Sequence, residues 1–178
     1  LIRFQRIYSG LQKLLYRSRL LQTAIAEQAK GPGSIYFTGG TTALMLGIRE
    51  QTIDGDLKLD PEPLGIFQAI SALKEELQLN IELAAPSDFI PAPPDWKERS
   101  ILIKVINNVK FYHFDLTLQA LAKIERGHAK DISDVNEMLK IGAISVEQLT
   151  ARFSEIEPMI YLYPIYLNYC QLCLLELA

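Results

Sequence analysis

Two glycines, Gly39-Gly40, followed after thirteen residues by Asp54-Gly55-Asp56, form the one arrangement in this 178-residue chain that solvated loops and buried apolar faces do not account for. Adjacent glycines let a backbone turn tightly into a helix whose first N–H groups have no intrahelical partner, a place that suits a phosphate. Gly39, Gly40 and Thr41 are the candidates for that contact. Carboxylates two apart on a strand point the same way from backbone positions roughly 7 Å apart. Hard cations take oxygen ligands, and Mg²⁺ commonly uses one or two carboxylates together with substrate phosphates. Asp54 and Asp56 beside a glycine-opened helix therefore have the makings of a metal-dependent nucleotidyl transfer site. The competing reading is that Asp54-Gly55 is a hairpin turn, for which the dipeptide is a strong signal, with Asp56 a solvated strand residue.

The surrounding elements favour the first reading, because a turn does not need them. Residues 34–38 are β-branched and aromatic, as in a buried strand leading into the glycines, and 41–47 have helical composition. From 53 to 60 the chain alternates, with Ile53, Gly55, Leu57 and Leu59 on one face and Asp54, Asp56 and Lys58 on the other. Further on, helices are expected over 62–77, with an inner stripe of Leu64, Ile66, Phe67, Ile70, Leu73 and Leu77, and over 117–126, 132–140 and 146–153. A strand is expected over 80–84, and a hairpin over 101–106 and 109–114 around Asn107-Asn108. Residues 86–96 hold four prolines and read as a loop, and 11–29 as an amphipathic helix ending before Gly31-Pro32-Gly33.

At this point the chain resembles a known group. Phe37-Thr38-Gly39-Gly40-Thr41, Arg49 and Thr52-Ile53-Asp54-Gly55-Asp56-Leu57 resemble the first motif of the polymerase-β-like nucleotidyltransferase superfamily. Within it the chain is most similar to the bacterial toxin-like enzymes of abortive-infection and toxin–antitoxin systems and to a related uncharacterised bacterial family. A second stretch extends the likeness: Lys123 on a helix, and Arg126 five positions before Asp131. The resemblance covers about residues 34–160. It implies an α+β nucleotidyltransferase fold, a central mixed sheet flanked by helices with a helical C-terminal portion. The parts are an N-terminal helical segment at 1–33, the core at 34–116 and the helical portion at 117–178, together one compact domain. It further implies Mg²⁺ or Mn²⁺ at Asp54 and Asp56, an NTP substrate, supporting catalytic roles for Lys123 and Asp131, and a tRNA, protein or small-molecule acceptor, with an antitoxin protein as a partner.

A third metal carboxylate is not evident. Asp115 is the candidate, although a helix N-cap before Thr117 uses such a residue equally well. Asp131 and Asp134 likewise suit a helix start, and Lys123 and Arg126 share a helix face on which they either hold phosphate or pair with acids. Arg49 either neutralises phosphate or pairs with Asp54 or Glu50. His113 and His128 stand without a ligand cluster, and Cys170 and Cys173 read as free thiols rather than zinc ligands.

Composition sets the outer limits. With 49% hydrophobic and 22% charged residues the chain is globular, and a net charge of −3 argues against a large nucleic-acid surface. Residues 1–30 are basic, with Arg3, Arg6, Lys13, Arg17, Arg19 and Lys30 against Glu27, which reads as a solvated helix face. No signal peptide is expected, and the apolar run 159–175, broken by Pro164, Asn168 and Gln171, reads as a core-packing segment rather than a membrane span. A cytoplasmic location follows as the expectation.

Overall fold

The computed structural model describes residues 18–49, 52 and 54–162. The expectations for Arg3, Arg6, Lys13, Arg17, Cys170, Cys173 and most of the apolar run 159–175 fall outside these residues. The class is α+β, with the chain falling into two compact units. One takes residues 18–84 and 102–113, and the other 85–101 and 114–162. The division thus differs from a cut at 116, because the proline-rich stretch groups with the later helices.

The first unit is built on a five-stranded mixed sheet of order β3-β2-β1-β5-β4. Its strands are β1 (Gly33–Phe37), β2 (Asp54–Leu59), β3 (Asn80–Glu82), β4 (Ile101–Ile106) and β5 (Val109–His113). β1 runs antiparallel to β2 and parallel to β5, and β2 runs parallel to β3. Alternation decides which face is buried. Ile35 and Phe37 of β1, Leu57 of β2, Ile81 of β3 and Val109 and Phe111 of β5 form one apolar face. A helix at residues 18–28 (α1) covers that face through Leu21 and Ile25, and α3 (Ile66–Leu77) through Ile66 and Leu73. Asp54, Asp56, Lys58, Asn80 and Glu82 alternate with these core residues and so share the opposite face.

Two expectations are corrected here. The helix expected from residue 62 starts at Ile66, because Gly65 takes a left-handed conformation (φ 88°) that no helix interior tolerates. Leu64 lies before the helix and Phe67 faces outward in its first turn, 67% and 58% exposed, so neither belongs to the inner stripe. The strand expected over 80–84 is shorter, Asn80–Glu82. The hairpin over β4 and β5 forms, with Asn107 in its turn left-handed (φ 52°).

The second unit holds α4 (Leu116–Arg126), α5 (Ala129–Lys140) and α6 (Val146–Ile156), preceded by two single 3₁₀ turns in the proline-rich stretch. α4 packs on both α5 and α6. Gly127 (φ 69°) ends α4, and Ser145 with Gln148 closes a reciprocal capping box at the start of α6. Trp96 stacks on Phe114 at 4.5 Å between ring centroids. Among the described residues, no helix is long and apolar enough to cross a membrane.

Candidate nucleotide site on the mixed sheet

The glycine pair begins α2 (Gly39–Met45) directly after β1. Thr38 stands in the cap position, yet its hydroxyl donates to Ala84 O (3.0 Å), so Thr38 itself does not cap the first turn of α2. The turn is tied to β2 instead. Thr38 N donates to Asp56 O (3.0 Å), and Thr41 Oγ1 donates to Asp54 O (3.1 Å). Thr42 Oγ1 donates to Phe37 O (2.9 Å), and beneath it lies the buried imidazole of His113, whose Nδ1 is 3.4 Å from the same hydroxyl. Burial pushes the His113 imidazole down to about 4, so it is neutral at pH 7.

Each glycine has its own steric reason. Gly39 is left-handed (φ 54°), and a Cβ on it would overlap the Asp56 carboxylate. A Cβ on Gly40 would overlap the Thr52 hydroxyl and come within 3.4 Å of Arg49 Nη1. The pair therefore does more than bend the chain. It lets an acid from β2 on one side, and a hydroxyl with a guanidinium on the other, lie against the start of the helix.

Asp54-Gly55 is not a turn: both residues lie within β2, so Asp54 and Asp56 project from one strand face. Asp54 is exposed and Asp56 half-buried. On the neighbouring strand Asn80 is the register partner of Asp54, and Glu82 of Asp56. Asn80 Nδ2 donates to Asp54 Oδ1 (3.2 Å) and to Glu82 Oε1 (2.6 Å), bridging the two acids. Glu82 was missed in the sequence, although Asn80-Ile81-Glu82 shows the same polar–apolar–polar alternation as Asp54-Gly55-Asp56. Its strand is short and its partner strand could not be assigned without the register. Among the described residues, no three His, Cys, Asp or Glu groups converge closely enough to hold an ion by themselves. Two carboxylates are nevertheless what Mg²⁺ commonly takes from a protein when substrate phosphates complete its shell. The oxygen-only donors of Asp54 and Asp56 fit that ion, and fit Mn²⁺ on the same chemistry.

The other residues singled out by sequence lie in the second unit. Of the two readings open for Asp115, the described structure shows the cap. Its Oδ1 accepts from Thr117 N (2.9 Å) and Leu118 N (3.2 Å), and its Oδ2 accepts from Arg152 Nη2 (2.9 Å). Both oxygens of this 2%-exposed residue are engaged by the helix start and by Arg152. Arg152, 1% exposed, also reaches Asp95 and Glu155, while its Nε has no partner. Nothing in the sequence marked Arg152, since one arginine on an amphipathic helix reads as surface.

Lys123 is 5% exposed and joins α4 to α5, with Nζ 3.2 Å from Asp131 Oδ1 and 2.7 Å from Asp134 Oδ2. Arg126 forks onto Asp131 through Nε (2.8 Å) and Nη2 (2.7 Å). Burial works to raise the Asp131 carboxyl, but the Arg126 and Lys123 contacts outweigh it and hold the group below the ordinary range. α5 starts at Ala129, so Asp131 lies inside its first turn and spends its oxygens on these cations rather than on a cap.

A family model described as "Nucleotidyltransferase of unknown function (DUF6036)" matches residues 19–171 of the chain. No curated protein and no solved structure gives a match.

Proposed function

Since the chain belongs to this nucleotidyltransferase family, we propose that it transfers a nucleoside monophosphate from an NTP to an acceptor hydroxyl, with Asp54 and Asp56 as the metal-holding acids. One observation carries the reading. The two carboxylates share a face of β2, and that of Asp56 packs against Gly39 at the start of α2. Mg²⁺ or Mn²⁺, when bound there, supplies positive charge against the phosphates and a more acidic attacking hydroxyl. Gly39, Gly40 and Thr41 offer the first turn of α2 to the phosphate chain. Attack on the α-phosphorus forms the acceptor O–P bond and breaks the α–β bridge. Pyrophosphate leaves, and the hydroxyl proton passes to solvent water. Glu82, opposite Asp56 in the register, is the acid best placed to join Asp54 and Asp56 once substrate is present.

Lys123 and Asp131 are proposed in supporting roles, through the buried ion pairs that fix α4 to α5. RNA such as a tRNA end, a protein hydroxyl and a small molecule are the acceptor classes to be tried. A toxin held by an antitoxin is the biological setting that the resemblance suggests. A second reading, an inert member of the fold acting as a binding or regulatory protein, draws on the lack of three converging acids among the described residues.

The test is incubation with Mg²⁺ and each α-labelled NTP in the presence of total RNA, and separately of protein extract. Label transfer by the wild-type chain, abolished in Asp56→Asn, is expected. Absence of transfer to any acceptor, together with no NTP-dependent thermal shift, would favour the inert reading.

A further inference from the structure

The chain that leaves α2 doubles back along it. Gly47, left-handed at φ 75°, permits the reversal, and Gly47 N donates to Leu44 O (3.0 Å). Ile48 N (2.8 Å) and Arg49 N (3.2 Å) then both donate to Ala43 O. Arg49 is thereby pinned beside the middle of the helix, and its side chain runs back over the preceding turn to Gly40. Nothing larger than glycine at position 40 leaves room for the guanidinium and the Thr52 hydroxyl together. Thr52 is itself fixed, its Oγ1 donating to Asp54 O (3.1 Å) and accepting from Asp54 N (3.3 Å).

This placement is electrostatically unusual. A helix start carries partial positive charge and normally attracts acids, yet the first turn of α2 contains none and a guanidinium lies against it. The acid that approaches the same turn, Asp56, comes from the Gly39 side. The guanidinium thus lies on the Gly40 side of the glycine pair and the Asp56 carboxylate on the Gly39 side. A ligand with a chain of anionic oxygens, neutralised by a cation at its acidic end, matches that polarity.

From this geometry we infer that Arg49 is a substrate-binding residue which forks onto the phosphate chain of the NTP at Gly40, on the side away from Asp56. The inference rests on the nucleotidyltransferase reading and extends it to a residue that distinguishes a triphosphate from a monophosphate. Arg49 already engages neighbouring groups in the structure. The role requires only that its planar fork be held within reach, and a phosphate offers that fork two oxygens at once.

Calorimetric titration of the full chain with Mg²⁺ and each of ATP, GTP, CTP and UTP identifies the tightest NTP. That NTP and its monophosphate are then titrated into Arg49→Ala, Arg49→Gln and Arg49→Lys. Losing a charge-assisted contact weakens NTP binding by about tenfold to a hundredfold. Monophosphate affinity stays at the wild-type value, and Arg49→Lys recovers part of the loss. A purely structural Arg49 gives a different result: a lower Tm, with both ligands weakened in proportion. An unchanged ratio of NTP to monophosphate affinity in folded Arg49→Ala overturns the assignment while leaving the proposed function intact. Should Arg49→Ala not fold, Arg49→Gln reads the same ratio. A wild-type chain that binds no NTP overturns the nucleotidyltransferase reading and this one with it.

Discussion

Gly39 bears two separate constraints, a left-handed backbone and the Asp56 carboxylate packed where its Cβ would stand. Gly39→Ala therefore combines backbone strain of about 1–3 kcal/mol with displacement of a proposed metal ligand. The expected outcome is a lower Tm by calorimetry together with lost Mg²⁺-dependent NTP binding, whereas Asp56→Asn loses the binding with little change in Tm. His113 makes a second residue-scale prediction. Its folded pKa, about 4, lies below the 6.5 of a free histidine, so between those values the unfolded chain binds the extra proton. Its contribution is fully present above pH 6.5 and is lost as the pH falls towards 4, on the order of 3 kcal/mol in total. Urea unfolding across that range is expected to show the decline in the wild-type chain and a flatter profile in His113→Phe.

At the scale of elements, the buried Arg152–Asp115 pair joins α6 to the start of α4. Removing only the cation leaves a buried carboxylate unpaired, so Arg152→Met is expected to cost about 3–5 kcal/mol in chemical denaturation. Adding Asp115→Asn, which keeps an N-cap while removing the charge, recovers part of that loss, and a strictly additive double mutant would contradict the coupling. The same pair shows where sequence reading stops. β1, β2, α2 and the hairpin were legible because each has a local signature: alternation, a glycine pair, or a two-residue asparagine turn. The cap on Asp115 was an open alternative in the sequence, but its buried ion pair was not legible, since Arg152 is 37 positions away. Glu82 was hidden for the same reason, because parallel pairing of β2 with β3 is a non-local fact. The start of α3 was not legible, because composition allows residues 62–65 into a helix that the left-handed backbone of Gly65 excludes.

On the whole-molecule scale, the chain carries two charge systems of different kind in its two units. In the second, Lys123, Asp131 and Asp134 neutralise one another away from water, and the half-exposed Arg126 forks onto Asp131 from the solvent side. With Asp131 held below its ordinary pKa, the contribution of its carboxylate is fully present above about pH 4, the value for a free aspartate, and is lost only as the pH falls further. In the first, Asp54 and Glu82 are exposed and bridged by the Asn80 amide, with Asp56 half-buried beside them on the same sheet face. Such an arrangement is suited to a cation brought by a ligand rather than to packing. The most direct test of that difference is calorimetric titration of NTP with and without Mg²⁺, on the wild-type chain and on the double variant Asp54→Asn/Asp56→Asn. The structure predicts binding that requires both the ion and the two carboxylates. NTP binding of equal strength in the double variant, or none in the wild-type chain with Mg²⁺ present, would contradict it.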